Sequence, residues 1–131
     1  TDQGGLGDLI ESVSVKELNQ VNISEDEMAI LRQGFYQVVN GNGQFNTGSA
    51  IGQGASVTIS AKTGTAETYT TTPSGEVVTA VNTNVVAYAP SDNPQIAVSV
   101  VLPNLTNQSS MTTKTIMREI INLYQSMYPM N

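Results

Sequence analysis

Val57-Thr58-Ile59-Ser60-Ala61-Lys62-Thr63-Gly64-Thr65-Ala66-Glu67 carries a two-residue period. Val57, Ile59 and Ala61 alternate with Ser56, Thr58, Ser60 and Lys62, as in a strand with one buried face and one polar face. A strand is therefore expected from about residue 55 to 69. Pro73-Ser74-Gly75 marks a turn, and residues 77–89, rich in Val, Thr and Asn, read as a second strand. Pro90-Ser91-Asp92-Asn93-Pro94 has strong turn chemistry. Gln95 to Leu102 then reads as a third strand. Because that last segment is nearly all apolar, it is expected to be central and buried on both faces.

Outward from these strands the period changes to that of a helix. Ser24-Glu25-Asp26-Glu27 is a helix start: Ser24 can cap, and Glu27 three residues on completes a capping box. Met28, Leu31, Phe35, Val38 and Val39 recur at helical spacing, and Asn40-Gly41-Asn42-Gly43 ends the run. Residues 1–23 form a lead-in, with a loop over 1–8 and a short helix over 9–19. Residues 41–54 read as a Gly/Asn/Ser loop, and 103–111 as a polar loop. Over 112–128, Ile116, Met117, Ile120, Ile121, Tyr124 and Met127 fall on one side of a closing helix. Helix 24–40, a three-stranded antiparallel sheet over 55–102 and helix 112–128 together predict an α+β fold, a sheet covered by helices.

The composition narrows the function. The 131 residues, 13.9 kDa, suit one domain and not two. Eleven acidic residues against five basic ones give a net charge of −6. That argues against nucleic acid and against an anionic membrane surface as partners, both of which need clustered Lys and Arg. There is no His and no Cys. Zinc fingers, thiol catalysis, disulfides and a Ser-His-Asp triad within the chain are excluded. Glu25, Asp26 and Glu27 read as the acidic first turn of a helix and not as metal ligands; no metal or cofactor is expected. No apolar run approaches the roughly 18 residues of a membrane span. Thr1-Asp2-Gln3-Gly4-Gly5 has neither the basic nor the apolar region of a signal peptide. That start reads as a cut, a tail or an engineered boundary, with the chain part of a longer protein.

Lys62-Thr63-Gly64-Thr65 is where chemistry is expected. Lys62 lies on the strand face opposite Val57, Ile59 and Ala61. Gly64 leaves a gap where another backbone can approach, and an extended peptide could pair with such an edge. Lys62 would supply a fixed positive charge, and the hydroxyls of Thr63 and Thr65 could hold a carboxylate. The Thr65 N–H could help receive an oxyanion. The competing reading is a solvated Lys62 and a bulge at Gly64. Glu67 reads either as shaping the mouth of the site or as a solvent-facing strand residue.

In context, the stretch from Val57 to Glu67 resembles the third strand of the class B penicillin-binding proteins, on which a K-T-G triplet stands. The run from Thr83 to Val98 resembles the following hairpin, and Arg32-Gln33-Gly34-Phe35-Tyr36-Gln37-Val38-Val39-Asn40 with its Gly-rich loop resembles what precedes the strand. The resemblance covers about residues 24–128. It implies the C-terminal part of a D,D-transpeptidase domain of the penicillin-binding-protein and serine β-lactamase-like fold, which cross-links peptidoglycan at the outer face of the bacterial cytoplasmic membrane. The membrane anchor would lie in an N-terminal segment absent from this chain. The implied partners are a stem peptide ending in D-Ala-D-Ala, β-lactam antibiotics, and the N-terminal part of the same protein carrying the Ser nucleophile. It further implies that Lys62, Thr63 and Thr65 bind the carboxylate, that the Thr65 N–H forms half the oxyanion hole, and that Lys62 hydrogen-bonds the Ser of the family's second motif.

The departures are as informative. The family's nucleophile is a Ser three residues before a Lys. Here Lys16, Lys62 and Lys114 are preceded at that distance by Val13, Ile59 and Met111. Ser91-Asp92-Asn93 spells the second motif but follows the triplet and reads as a hairpin turn. The chain alone is thus expected to be inactive. The alternative is a non-catalytic module with a transpeptidase-like fold that binds cell-wall peptide or a partner. A further alternative is an unrelated extracellular domain in which the triplet is accidental.

Overall fold

The computed structural model describes residues 12, 14–106 and 109–130. Its elements are α1 (Glu25–Asn40), α2 (Ser49–Gly52), β1 (Ser60–Thr71), β2 (Val77–Ala89), β3 (Ile96–Leu105) and α3 (Met111–Met127). Of the expected lead-in, residues 1–11 and 13 lie outside the described residues. Residue 12 and residues 14–24 carry no helix. Val15, Leu18 and Val21 there are exposed, so among the described residues no apolar contact offsets the cost of a short helix.

α1 begins as its sequence predicts. The Glu27 N–H donates to the Ser24 hydroxyl at 3.3 Å, and the Glu27 carboxylate accepts from the Ser24 N–H at 2.9 Å. These bonds, the backbone one first and the Ser24 hydroxyl second, hold the Glu27 carboxyl below its ordinary value of 4.5. The unfolded chain therefore binds more protons as the pH drops below 4.5. The contribution of the Glu27 charge is present above that pH and is lost as the pH falls through the lowered folded value. Ser24→Ala is expected to destabilise the protein by about 1 kcal/mol. The thermal-midpoint gap between wild type and Glu27→Gln should close on acidification; a gap unchanged at low pH would contradict this.

The end of α1 differs from expectation. Gly41 has φ −70°, an extended and not a left-handed conformation. Glycine is required there by closeness: a Cβ would stand 2.5 Å from the Gln37 carbonyl oxygen.

The sheet is antiparallel with order β1-β2-β3. The third strand is therefore an edge within this chain, and β2 is central. The apolar run of β3 reflects two unlike faces. Val98 and Val100 lie with the core, while Val101 on the other face is 59% exposed. β3 also runs past Leu102 through Pro103 to Leu105, where a loop was expected. A proline fits because an edge strand has N–H groups that no ladder uses. The register shifts between Val81 and Thr83, and the Asn104 N–H donates to the Asn82 side chain at 2.9 Å.

Pairing of Ala61 with Ala87, Thr63 with Val85 and Thr65 with Thr83 puts these residues on one face of β1 and β2. Met117 and Ile121 of α3 complete the core with Val85, Ala87 and Val100. Ile120 and Met127, expected on the same side, are 39% and 59% exposed, and the buried stripe runs instead through Thr113, Met117 and Ile121. Within 41–54, α2 was not foreseen. A single turn carries too few residues for a period, but Ile51 at its centre is fully buried. Arg118 of α3 fixes it by donating to the Gln53 carbonyl at 2.9 Å. Asn122 accepts from the Ser56 N–H at 2.9 Å and donates to the Gly54 carbonyl at 3.0 Å. These bonds aim the chain from α2 into β1. Among the described residues no helix is long and apolar enough to cross a membrane.

Candidate functional site

Among the described residues β1 pairs with β2 alone, so Lys62, Thr63, Gly64 and Thr65 stand on a strand edge that no described strand covers. Two residues before Lys62, Ser60 is buried and donates to the Ser91 hydroxyl at 2.9 Å. The Ser91 N–H donates to the Thr58 carbonyl at 3.0 Å. Asn40 of α1 donates to the Ile59 carbonyl at 2.9 Å. The strand is thus clamped just upstream of the triplet, and Ile59 and Ala61 are each 1% exposed. Lys62 is the first exposed residue after this anchor.

The four positions differ in surroundings. The Lys62 ammonium donates to the carbonyl of Thr63 at 2.6 Å. The Thr63 hydroxyl shares a hydrogen bond of 2.8 Å with that of Thr47. Thr47 comes from the 41–54 stretch, which therefore flanks the motif strand. Gly64 faces Asn84 across the ladder. A Cβ on Gly64 would lie 2.9 Å from the Asn84 Cγ and in collision with its Oδ1. Thr65 is exposed.

Beside these residues is a cavity of about 270 Å³, lined among others by Thr47, Thr63, Thr65, Ser110 and Lys114. Its far wall is held by a hydrogen bond between the buried hydroxyls of Thr83 and Thr113. Hydroxyl donors, an ammonium and an open strand edge can receive a carboxylate and pair with an extended backbone. A larger cavity, about 510 Å³, lies between α1 and the turn after β2, lined by Met28, Leu31, Phe35, Tyr88 and Pro94 among others. None of Lys62–Thr65 reaches it, and its lining is mostly apolar.

Ser91-Asp92-Asn93 lies in the turn between β2 and β3, and the Gln95 N–H closes that turn on the Ala89 carbonyl at 2.9 Å. Among the described residues no three acidic side chains gather as a metal site would need.

The model of the penicillin-binding protein transpeptidase domain matches residues 4–122. The chain belongs to that family. Penicillin-binding protein 2B of Streptococcus pneumoniae is 56% identical over 130 residues, covering 99% of this chain and 18% of the relative. Penicillin-binding protein 2A of Bacillus subtilis is 37% identical over 127 residues, covering 92% of this chain and 17% of the relative. The chain thus spans under a fifth of the length of these relatives. The solved structure of penicillin-binding protein 2B from strain R6 of S. pneumoniae superposes with a TM-score of 0.78 at 56% identity, over all of this chain and 20% of that one. That of strain 5204 gives 0.70 at 50% identity. The α+β arrangement is therefore that of part of a penicillin-binding transpeptidase domain.

Sequence reasoning about this transpeptidase-family chain did not single out Thr47, Asn84 or Lys114 as site residues. Thr47 and Lys114 lie 16 residues before and 51 residues after Thr63, on elements that reach β1 only through the tertiary fold. Asn84 could have been found, since a hairpin centred on residues 73–75 pairs it with Gly64.

Proposed function

We propose that this chain supplies the substrate-binding strand of a peptidoglycan D,D-transpeptidase, with the nucleophilic serine carried by another polypeptide segment, the N-terminal part of the same protein. The observation that carries this reading is the K-T-G triplet, with its Thr65, on a free sheet edge of a chain belonging to the transpeptidase family. Lys62 and the hydroxyls of Thr63 and Thr65 receive the terminal carboxylate of a stem peptide ending in D-Ala-D-Ala, or the carboxylate of a β-lactam. Gly64 lets the ligand backbone lie close along β1. The Thr65 N–H donates to the oxygen that gains charge when the serine attacks the carbonyl. Lys62 also holds the serine of the second motif. The serine hydroxyl loses its proton to its neighbouring base, and the departing D-Ala amine takes one up. No cofactor enters. Action at the outer face of the bacterial cytoplasmic membrane belongs to the same reading.

Intact-mass spectrometry of the complete protein, denatured after incubation with and without penicillin, tests it. A segment bearing Ser-x-x-Lys is expected to gain one penicilloyl group, and no residue of this chain should gain any. Penicilloyl on this chain would overturn the division of labour. No acylation of any segment would leave a peptide-binding module in place of an enzyme.

A further inference from the structure

Lys114 stands in the first turn of α3, half-buried, and lines the 270 Å³ cavity under Thr63 and Thr65. Nothing in its described surroundings accounts for its charge. The first turn of a helix carries partial positive charge, which disfavours a cation, and α3 has no acidic residue there to offset it. Among the described residues Lys114 makes no ion pair, the pair present being that of Arg118 with Glu119. No acidic side chain lines the cavity. A partly buried ammonium with no carboxylate beside it is free to pair with an anion that enters the cavity.

What surrounds it is a set of neutral hydroxyls. Ser110, just before α3, does not cap the helix with its side chain. Thr63, Thr65 and Thr47 reach the cavity from the other side. An ammonium among hydroxyl donors, with no carboxylate nearby, is complementary to an anion. The chain has five basic residues and a net charge of −6; one of the five, Lys114, lines this cavity beside Thr63, Gly64 and Thr65, while Lys62 does not line it.

We propose that Lys114 is a specificity-determining residue of this site: its ammonium is a second counter-charge, from the α3 side, for the carboxylate of the bound acyl donor or β-lactam. This rests on the transpeptidase reading above and adds to it a residue outside the K-T-G motif. Selection for ligands bearing that carboxylate then depends on α3 as well as on β1.

The test uses the complete protein as wild type, Lys114→Gln and Lys114→Arg, with benzylpenicillin and its methyl ester as probes. Lys114→Gln is expected to slow acylation by benzylpenicillin by about 10- to 100-fold, the worth of one charge-assisted hydrogen bond. Lys114→Arg should retain most of the rate. The methyl ester, which carries no negative charge, should react equally with wild type and Lys114→Gln. Added salt should slow the wild type on benzylpenicillin more steeply than Lys114→Gln. The thermal midpoint of Lys114→Gln should stay close to that of wild type, because among the described residues Lys114 makes no ion pair that the change would break. A Lys114→Gln rate on benzylpenicillin within about threefold of wild type would overturn the inference. Equal slowing on both probes would also overturn it, since it would mark a structural role. A wild type unreactive toward both probes would instead overturn the transpeptidase reading itself, and this inference with it.

Discussion

Lys62→Met is expected to slow acylation of the complete protein by benzylpenicillin by about 100- to 1,000-fold, the range found when a charge-stabilising donor is removed from an acyl-transfer site. The same change should barely move the thermal midpoint. Both halves follow from where Lys62 sits. It is exposed, and its ammonium donates to the neighbouring Thr63 carbonyl. Exposed residues away from buried networks contribute within about 0.5 kcal/mol of stability. The strand itself is clamped by residues that Lys62 does not touch, through Ser60 with Ser91 and Asn40 with the Ile59 carbonyl. In the proposed reading the Lys62 charge and the Thr65 N–H act only when a carboxylate and a developing oxyanion are present. Under the proposed reading Lys62 outweighs Lys114, because there it serves both the ligand and the second-motif serine. Second-order acylation rates alongside thermal melts give the comparison. A Lys62→Met protein that acylates at near wild-type rate would remove the triplet from the mechanism.

Gly64→Val should affect stability and acylation through separate causes. The backbone at Gly64 lies outside the left-handed region, which among the described glycines is occupied by Gly54 and Gly75. Replacing a glycine with a residue its conformation allows stabilises a protein by about 0.4–1 kcal/mol through the unfolded chain. The steric effect is larger and opposite. The new Cβ would meet Asn84 at 2.9 Å and closer, and forced overpacking costs about 1–3 kcal/mol. The net expectation is destabilisation. Asn84→Ala in the same protein opens the space, so the double variant should recover most of the lost stability. In the proposed reading acylation should not recover, because the added side chain remains at the point where the ligand backbone comes close to β1. Recovery of both would mean that Gly64 serves only the sheet; recovery of neither would mean that Asn84 is not what the side chain strikes.

Much of this architecture was readable from local pattern. The Ser24–Glu27 capping box, the alternation of Ile59 and Ala61 with Ser60 and Lys62, and the turn chemistry of 73–75 and 90–94 are short-range signals. A few neighbouring residues carry the whole physical cause of each. The readings that failed were of another kind. The helix expected over 9–19 is absent from residues 12 and 14–19, its described part; it needed a partner for Val15 and Leu18, and local spacing cannot say whether one exists. α2 is a single turn, stabilised by the burial of Ile51 and by Arg118, which is 65 residues away from Gln53. The apolar run in β3 reads as central because composition reports how much surface a strand hides, not which neighbours hide it.

The sequence by itself determined that the chain would be an α+β layer bearing a K-T-G strand, and that no serine nucleophile of the family's pattern lies in it. Those facts depend on residue identity and periodicity alone. Only the tertiary structure decided that β2 and not β3 is the central strand of the three. It alone brought Thr47 onto Thr63, and it alone opened a cavity with Lys114 at the back of the motif. Such placements depend on how helices separated by tens of residues pack on a sheet, and the energy that selects them is the burial of Ile51, Val85, Met117 and Ile121 together.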